Sequence, residues 1–238
     1  NTTRSFFEEH KDVFVKLAAV EKKPILINFV PEGHYYWVLN VEYNIIDDLD
    51  RPREIGTFQI DIGNAKRFGI NYDDEKGHKQ YPVIIHTAVL GGLERYLFTL
   101  LDSAIRLEKQ GKKPMLPVWI SPTQTRVIPV GQQFMDEARR LVDKLQDSGV
   151  RADLDERDDT VQSRVREAEL SWVPYILIFG GKEAKSEKLS VRAREDGKDY
   201  SLSFDEFVKL VHSKTKSYPY RELNIPKLVS QRPGYKRV

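Results

Sequence analysis

The residues best able to do chemistry stand close together between positions 81 and 98, in Tyr-Pro-Val-Ile-Ile-His86-Thr-Ala-Val-Leu-Gly91-Gly92-Leu-Glu94-Arg95-Tyr-Leu-Phe. An apolar β-forming run ends in a histidine, passes two glycines and becomes a pattern of helical period with an acid and an arginine on its first turn. Glycine lacks a Cβ, so Gly91 and Gly92 admit the close approach of a backbone or of a flat ligand. The planar, always-charged fork of Arg95 suits a phosphate or the face of a base. The alternative is a buried strand–helix corner where Arg95 pairs with Glu94 or another acid.

The other four histidines, His10, His34, His78 and His212, are scattered, and the chain has no HxxxH pair, no GxxxxGK phosphate loop and no Ser-His-Asp trio. A hydrolase or a P-loop enzyme therefore has no support. Glu54, Thr57 and Gln59 share one predicted strand, and strict alternation puts Glu54 on the face opposite Thr57 and Gln59. The block Tyr35-Tyr36-Trp37 reads as core packing. From Asp155 to Glu167 the charges alternate in sign, which describes a solvated helix face. The functional alternative places Arg157, Arg164 and Glu167 at the mouth of an α/β sheet, reading phosphates and base edges of single-stranded RNA. From Lys214 onward, Lys and Arg are interleaved with Tyr218, Tyr220 and Tyr235, a composition suited to stacking and phosphate contact.

The elements that position these residues follow from length and pattern. A chain of 238 residues buries one sizeable core or two modest ones, and 40% hydrophobic with 31% charged residues describes a soluble globular protein. A net charge of +2 is too small to declare a polyanion partner, so any nucleic-acid contact must be local. The absence of cysteine excludes disulfides and thiolate metal sites and fits a reducing, cytoplasmic setting. No apolar run reaches the roughly 18 residues of a membrane span, so no membrane partner is expected. The start, Asn1-Thr-Thr-Arg, is not a signal peptide.

Ser5 to Val20 is a predicted helix with Ser5 and Glu8 as a capping box. Strands follow over 24–30, 34–43 and 54–62, with turn chemistry at 47–52 and 72–77. With the strand before His86 and the helix from Gly92, residues 1–113 form an antiparallel α+β domain that ends in the polar linker 109–114. A second domain, 114–213, has strands at 118–121, 125–130, 150–155 and 174–179, an edge strand at 189–194, and helices at 134–145, 160–170 and 203–211. That order implies an α/β mixed sheet flanked by helices. Residues 214–238 read as a basic C-terminal tail.

Taken together, Gly56-Thr-Phe-Gln-Ile-Asp61, Pro82-Val-Ile-Ile-His86, Gly91-Gly-Leu-Glu-Arg95, Leu116-Pro-Val-Trp-Ile-Ser-Pro-Thr-Gln124 and Val127-Ile-Pro-Val130 resemble the C-terminal half of the threonyl-tRNA synthetases. Tyr218-Pro-Tyr-Arg221 and Ser230-Gln-Arg-Pro233 resemble the archaeal form of that family. The resemblance covers essentially the whole chain in the right order. It implies the rear part of a class II catalytic core over 1–113, including motif 3, and an anticodon-binding domain from 114. By the resemblance, Arg95 with Glu94 is the motif 3 pair that meets ATP, beside Gly91 and Gly92. His86 is one of three ligands to a zinc ion that holds the threonine; a zinc with an open position accepts a hydroxyl where the methyl of valine cannot coordinate. Gln59, Glu54 and Trp37 line the amino-acid pocket, with Tyr36 the alternative register for Trp37. Arg157, Arg164, Glu167, Lys182 and Glu183 approach the anticodon.

The implied reaction is ATP- and Mg-dependent activation of threonine and its transfer to tRNA(Thr), in a homodimeric parent. Motifs 1 and 2 and two of the three zinc ligands are not found in the chain. The expectation is therefore a fragment of the ligase that retains tRNA binding but neither zinc nor activity of its own. Alternatives are a non-catalytic tRNA-binding paralogue or accessory module, and a sister synthetase for proline, histidine or glycine. The spacing of His86 and Arg95 argues against the sister enzyme.

Overall fold

The computed structural model describes residues 1–186 and 188–233. The chain divides into two compact units, Asn1–Asp102 and Ser103–Val238.

The first unit opens with β1 (Thr2–Thr3), α1 (Arg4–Glu9) and α2 (Lys11–Glu21). The single helix expected from Ser5 is thus two. Thr3 rather than Ser5 caps it, accepting the Phe6 N–H, while the Ser5 hydroxyl donates to Glu32. The His10 N–H donates to the Phe6 carbonyl at the end of α1, and the helix breaks there. β2 is only Phe29–Val30, shorter than the expected 24–30.

β3 (Trp37–Ile46) and β4 (Pro52–Asp61) form a long hairpin. Its turn is organised by the buried Asp47, whose carboxylate accepts the N–H groups of Leu49 and Arg51 at 2.9 Å each. The same carboxylate accepts from Nε of Arg51 at 3.1 Å and of Arg53 at 2.9 Å. After α3 (Asn64–Arg67) come the small β5 (Tyr72–Asp73) and β6 (Lys79–Gln80) around the expected turn, then β7 (Ile84–Ala88) and α4 (Leu93–Lys109). The sheet order is β2-β1-β3-β4-β7, antiparallel throughout except for the β1–β2 pair. The register opposes Tyr43 to Gly56 and Asn44 to Glu54, so Ile55 is an extra residue, a bulge.

The second unit contains β8 (Thr125–Pro129), α5 (Met135–Asp147), β9 (Ala152–Leu154), α6 (Val161–Leu170), β10 (Tyr175–Phe179), α7 (Gly181–Lys185), β11 (Lys188–Ala193), β12 (Asp199–Ser203) and α8 (Phe204–Ser213). Its sheet order is β12-β11-β10-β8-β9, parallel across β9, β8 and β10 and antiparallel beyond, the mixed α/β architecture expected. Along β8, Val127 packs with Leu145, Leu177 and Phe207, while its neighbour Ile128 packs with Val165, Ala168 and Ile176 on the other face. Central strands covered on both faces are apolar on both faces.

Two strand assignments need correction. Val118–Ser121 is a turn, with the N–H groups of Ile120 and Ser121 both donating to the Pro117 carbonyl. β11 is an interior strand, because β12, a short polar segment without a strong strand signature, pairs along its outer side. The segment after Lys214 is also more than a basic tail, since it packs on the second unit. Tyr218 stacks on Trp119 with ring centroids 4.1 Å apart, and the Leu154 N–H donates to the Lys227 carbonyl at 2.9 Å. Tyr235 lies outside the described residues. Among the described residues no helix is long and apolar enough to cross a membrane.

Candidate functional site

In the first unit the register of β4 on β7 opposes Gln59 to His86 and Asp61 to Ile84. Directly opposed residues share a face of the sheet, so Gln59, Asp61 and His86 converge. The Tyr36 hydroxyl donates to Gln59 Oε1 at 2.8 Å, and its ring meets that of His86 at 5.8 Å. His86 Nε2 lies 2.7 Å from Oδ2 of Asp61, a fully buried residue. Burial pushes the Asp61 carboxyl up, but hydrogen bonds from the Asn64 backbone, His86 and the Gly63 backbone outweigh it and hold it below the usual carboxylate range. With Asp61 ionised, Nε2 is the ring nitrogen that donates across this short contact. Trp37 does not join this cluster. It is buried and stacked on Tyr35, so Tyr36 is the aromatic beside Gln59.

The bulge at Ile55 corrects the expected separation of Glu54 from Gln59. Asn40 and Asn44 share a face of β3 and oppose Gln59 and Glu54 respectively, so the extra residue returns Glu54 to the Gln59 face. Arg95 Nη1 donates to the Glu54 carbonyl at 2.9 Å and stands 3.8 Å from its carboxylate. Gly91, at φ +61°, faces the Ile55 carbonyl so closely that a Cβ would sit 3.2 Å from it. Of the two approaches its lack of a Cβ allows, the backbone approach is the one made. Gly92 is not crowded, and Glu94 occupies the first turn of α4. His86 and Arg95 thus both attach to β4, at its opposite ends, and each is about half exposed. Among the described residues no group of three His, Cys, Asp or Glu side chains converges as a metal site. A zinc ion does not fit these residues by themselves.

In the second unit a cleft of about 120 Å³ opens where β8 and β9 end, lined by Val130, Gly131, Gln132, Met135, Arg157–Asp159 and Arg164. The carboxyl ends of parallel strands are where open α/β sheets bind ligands. Arg157 grips the buried Asp155 with both arms, at 2.8 and 2.7 Å, and reaches Glu167 at 3.2 Å; the hydrogen bonds it donates to the Asp155 carboxylate raise its pKa. Arg164 is only 5% exposed, and its fork donates to the carbonyls of Asp155 at 2.9 Å and Pro129 at 2.8 Å.

Arg164 therefore ties together the loops after β8 and β9. In the stretch 155–167, Asp158, Asp159, Arg166 and Glu167 are exposed as a solvated face requires, whereas Arg157 and Arg164 are bound to the chain itself. Glu183 accepts the Gly180 N–H at 3.0 Å and the Ser190 hydroxyl, which closes α7, whereas Lys182 is exposed. Gln132, Asp158 and Asp159 line the cleft without having been singled out; their place in loops after apolar strands was the available signal.

Comparison with known proteins adds identity to this geometry. Residues 124–214 match the anticodon binding domain family. The chain is 52% identical over 235 residues to a threonine–tRNA ligase of Thermofilum pendens, covering 99% of this chain and 38% of that protein. Threonine–tRNA ligases of Pyrobaculum calidifontis and Staphylothermus marinus are 50% and 44% identical, again over 98% of this chain and 38% of theirs. The crystal structure of the RNA binding domain of threonyl-tRNA synthetase from Cryptosporidium parvum Iowa II superposes with a TM-score of 0.66 at 26% identity, covering 90% of this chain and 52% of that one. Along essentially its whole length the chain is similar to threonine–tRNA ligases, and it spans 38% of the length of these relatives.

Proposed function

We propose that the chain is a working part of an ATP-dependent threonine–tRNA ligase. In this reading the second unit binds tRNA(Thr) at its anticodon, and the first unit supplies one wall of the site for threonine and ATP. The observation that carries it is 44% to 52% identity with threonine–tRNA ligases over nearly all of the chain.

The cleft at the ends of β8 and β9 receives anticodon nucleotides. Arg157, steadied by Asp155 and Glu167, offers a planar fork to a base edge or phosphate. Arg164 shapes the wall, and Lys182 and Glu183 act from α7. In the first unit Gln59 and Tyr36 offer hydrogen bonds to the amino acid, with Glu54 on the same face. Arg95 and Glu94, beside Gly91 and Gly92, face ATP and its Mg²⁺. His86, oriented by Asp61, is the one zinc donor this segment contributes to the parent, a cytoplasmic homodimer.

Fluorescence anisotropy with tRNA transcripts tests the reading. The chain is expected to prefer a tRNA(Thr) transcript over the same transcript with an altered anticodon, and its affinity is expected to fall steeply with salt. Equal binding of the two transcripts would end the proposal. The rival reading, a tRNA-binding module outside threonine activation, predicts no threonine-dependent ATP–pyrophosphate exchange by the full-length natural protein.

A further inference from the structure

Residues 226–233 run along the free side of β9, the short outermost strand of the second unit's sheet. Leu154 donates its N–H to the Lys227 carbonyl at 2.9 Å and forms a parallel bridge with Leu228. A sheet edge is a row of unpaired backbone groups, and here part of that row is taken by the chain's own C-terminal segment.

Side chains fasten the segment. Arg232 Nη1 stands 2.6 Å from Oδ2 of Asp153, a fully buried carboxylate already held by the fork of Arg126 at 2.9 Å twice and by the Thr123 hydroxyl at 3.0 Å. Arg232 Nε returns to the Pro226 carbonyl at 2.9 Å, closing the segment on itself. The Ser230 hydroxyl donates to the Glu156 carboxylate, and Lys227 Nζ reaches Asp143 at 2.5 Å. The Asp153 and Glu156 contacts fall where they control the cleft. Asp153 belongs to β9, from whose end the loop 155–159 departs, and Glu156 precedes Arg157, Asp158 and Asp159 of the cleft lining.

We propose that residues 226–233 are a clasp that holds the 155–159 loop in its binding shape, and that Arg232 is a positioning residue for RNA, acting through Asp153 and, by way of Ser230, through Glu156. The effect on RNA rests on the function proposed above; the clamping of the loop does not.

The test uses the full chain with Arg232→Ala and Ser230→Ala, and with Tyr218→Ala as a control that removes the stack on Trp119 in the same C-terminal segment. Amide hydrogen exchange over 156–159 and affinity for a tRNA(Thr) transcript are both measured. Arg232→Ala and Ser230→Ala are expected to speed exchange in the loop. Apparent Kd rises about tenfold where the binding-competent loop falls to about a tenth of the population. Tyr218→Ala is expected to lower thermal stability with little change in Kd. Should Arg232→Ala fail to fold, Ser230→Ala, which leaves the Arg126–Asp153 pair intact, carries the same expectations. Unchanged loop exchange in the folded variants overturns the clasp, as does an equal loss of RNA affinity in Tyr218→Ala. If the wild-type chain binds no transcript while loop exchange still responds, the clasp stands and the proposed function falls.

Discussion

The arginines of the second unit spend much of their hydrogen-bonding capacity on the chain itself. Arg151 donates to the carbonyls of Trp119 at 2.7 Å, Ser121 at 3.0 Å and Arg221 at 3.3 Å, and Arg194 to those of Pro114 and Glu169 at 2.6 Å each. Burial lowers the pKa of both. Arg164 does the same for Asp155 and Pro129. These five-donor forks cross-link separate segments of the chain through their backbone carbonyls. The charge pattern of 155–167 could not disclose this, because a carbonyl partner leaves no mark in a sequence. The convergence of His86 with Gln59 was closer to legible, since both sit on strongly patterned strands.

At this scale Arg164→Ala is expected to cost about 3 kcal/mol in urea unfolding, through two buried carbonyls left without a donor. At a temperature where the variant is folded, the salt slope of tRNA binding is expected to match wild type, since a buried fork displaces no phosphate counterion. A slope reduced by about one would put Arg164 on a phosphate instead.

The β3–β4 hairpin shows what patterning can and cannot fix in an element. Its turn was written in Asp47-Asp48-Leu-Asp50-Arg51-Pro52, where Asp47 takes the acceptor role and Pro52 begins a strand. Its bulge was not. Alternation assigns faces only while the two strands stay in step, and one extra residue inverts the assignment beyond it. Gly56 was the available hint, since a Cβ there would meet the Ala88 carbonyl at 3.0 Å.

Burial pushes the Asp47 carboxyl up, yet hydrogen bonds from the Arg51 backbone, Arg53, the Leu49 backbone and Arg51 bring it well below the usual range. A carboxyl depressed in the folded state contributes stability above its unfolded value, about 4, and loses it as pH falls through the folded value. Asp47→Asn is therefore expected to be less stable than wild type at neutral pH, with the gap closing progressively below pH about 4. Denaturant midpoints measured across that range check this. A gap independent of pH would show that the turn does not need the charge.

Across the whole molecule the two units are built to different depths. The buried apolar side chains of the first are Phe14, Trp37, Leu39 and Ala65, among the described residues, while Val20, Leu26 and Val89 stay at least 78% exposed. The second unit has two well-filled clusters, one on each side of its sheet. Local stability follows the density of buried contacts. Calorimetry is expected to resolve two transitions, with amides of β3, β4 and β7 losing exchange protection before those of β8 and β10. A single transition whose calorimetric and van't Hoff enthalpies agree would contradict this.

Composition placed a domain boundary in the polar stretch 109–114, whereas the compact units part between Asp102 and Ser103, inside the continuous helix α4. Polarity marks where a helix surface meets water, not where contacts divide. The last segment was misjudged for a related reason: its lysines and arginines describe a tail only if their partners are ignored.

Ile55 sets a rule on how this protein can vary in length. It is an uncounted step in the ladder between β3 and β4, so deleting it alone would leave Glu54 opposite Asn44 and Arg53 opposite Ile45 in a regular ladder, while deleting a paired neighbour instead would move the residues beyond it to the other face. Trimming one residue from each arm beyond the bulge would merely shorten the hairpin. Insertions and deletions at the paired positions must therefore come in matched pairs, and Ile55 is the step whose single loss the ladder absorbs.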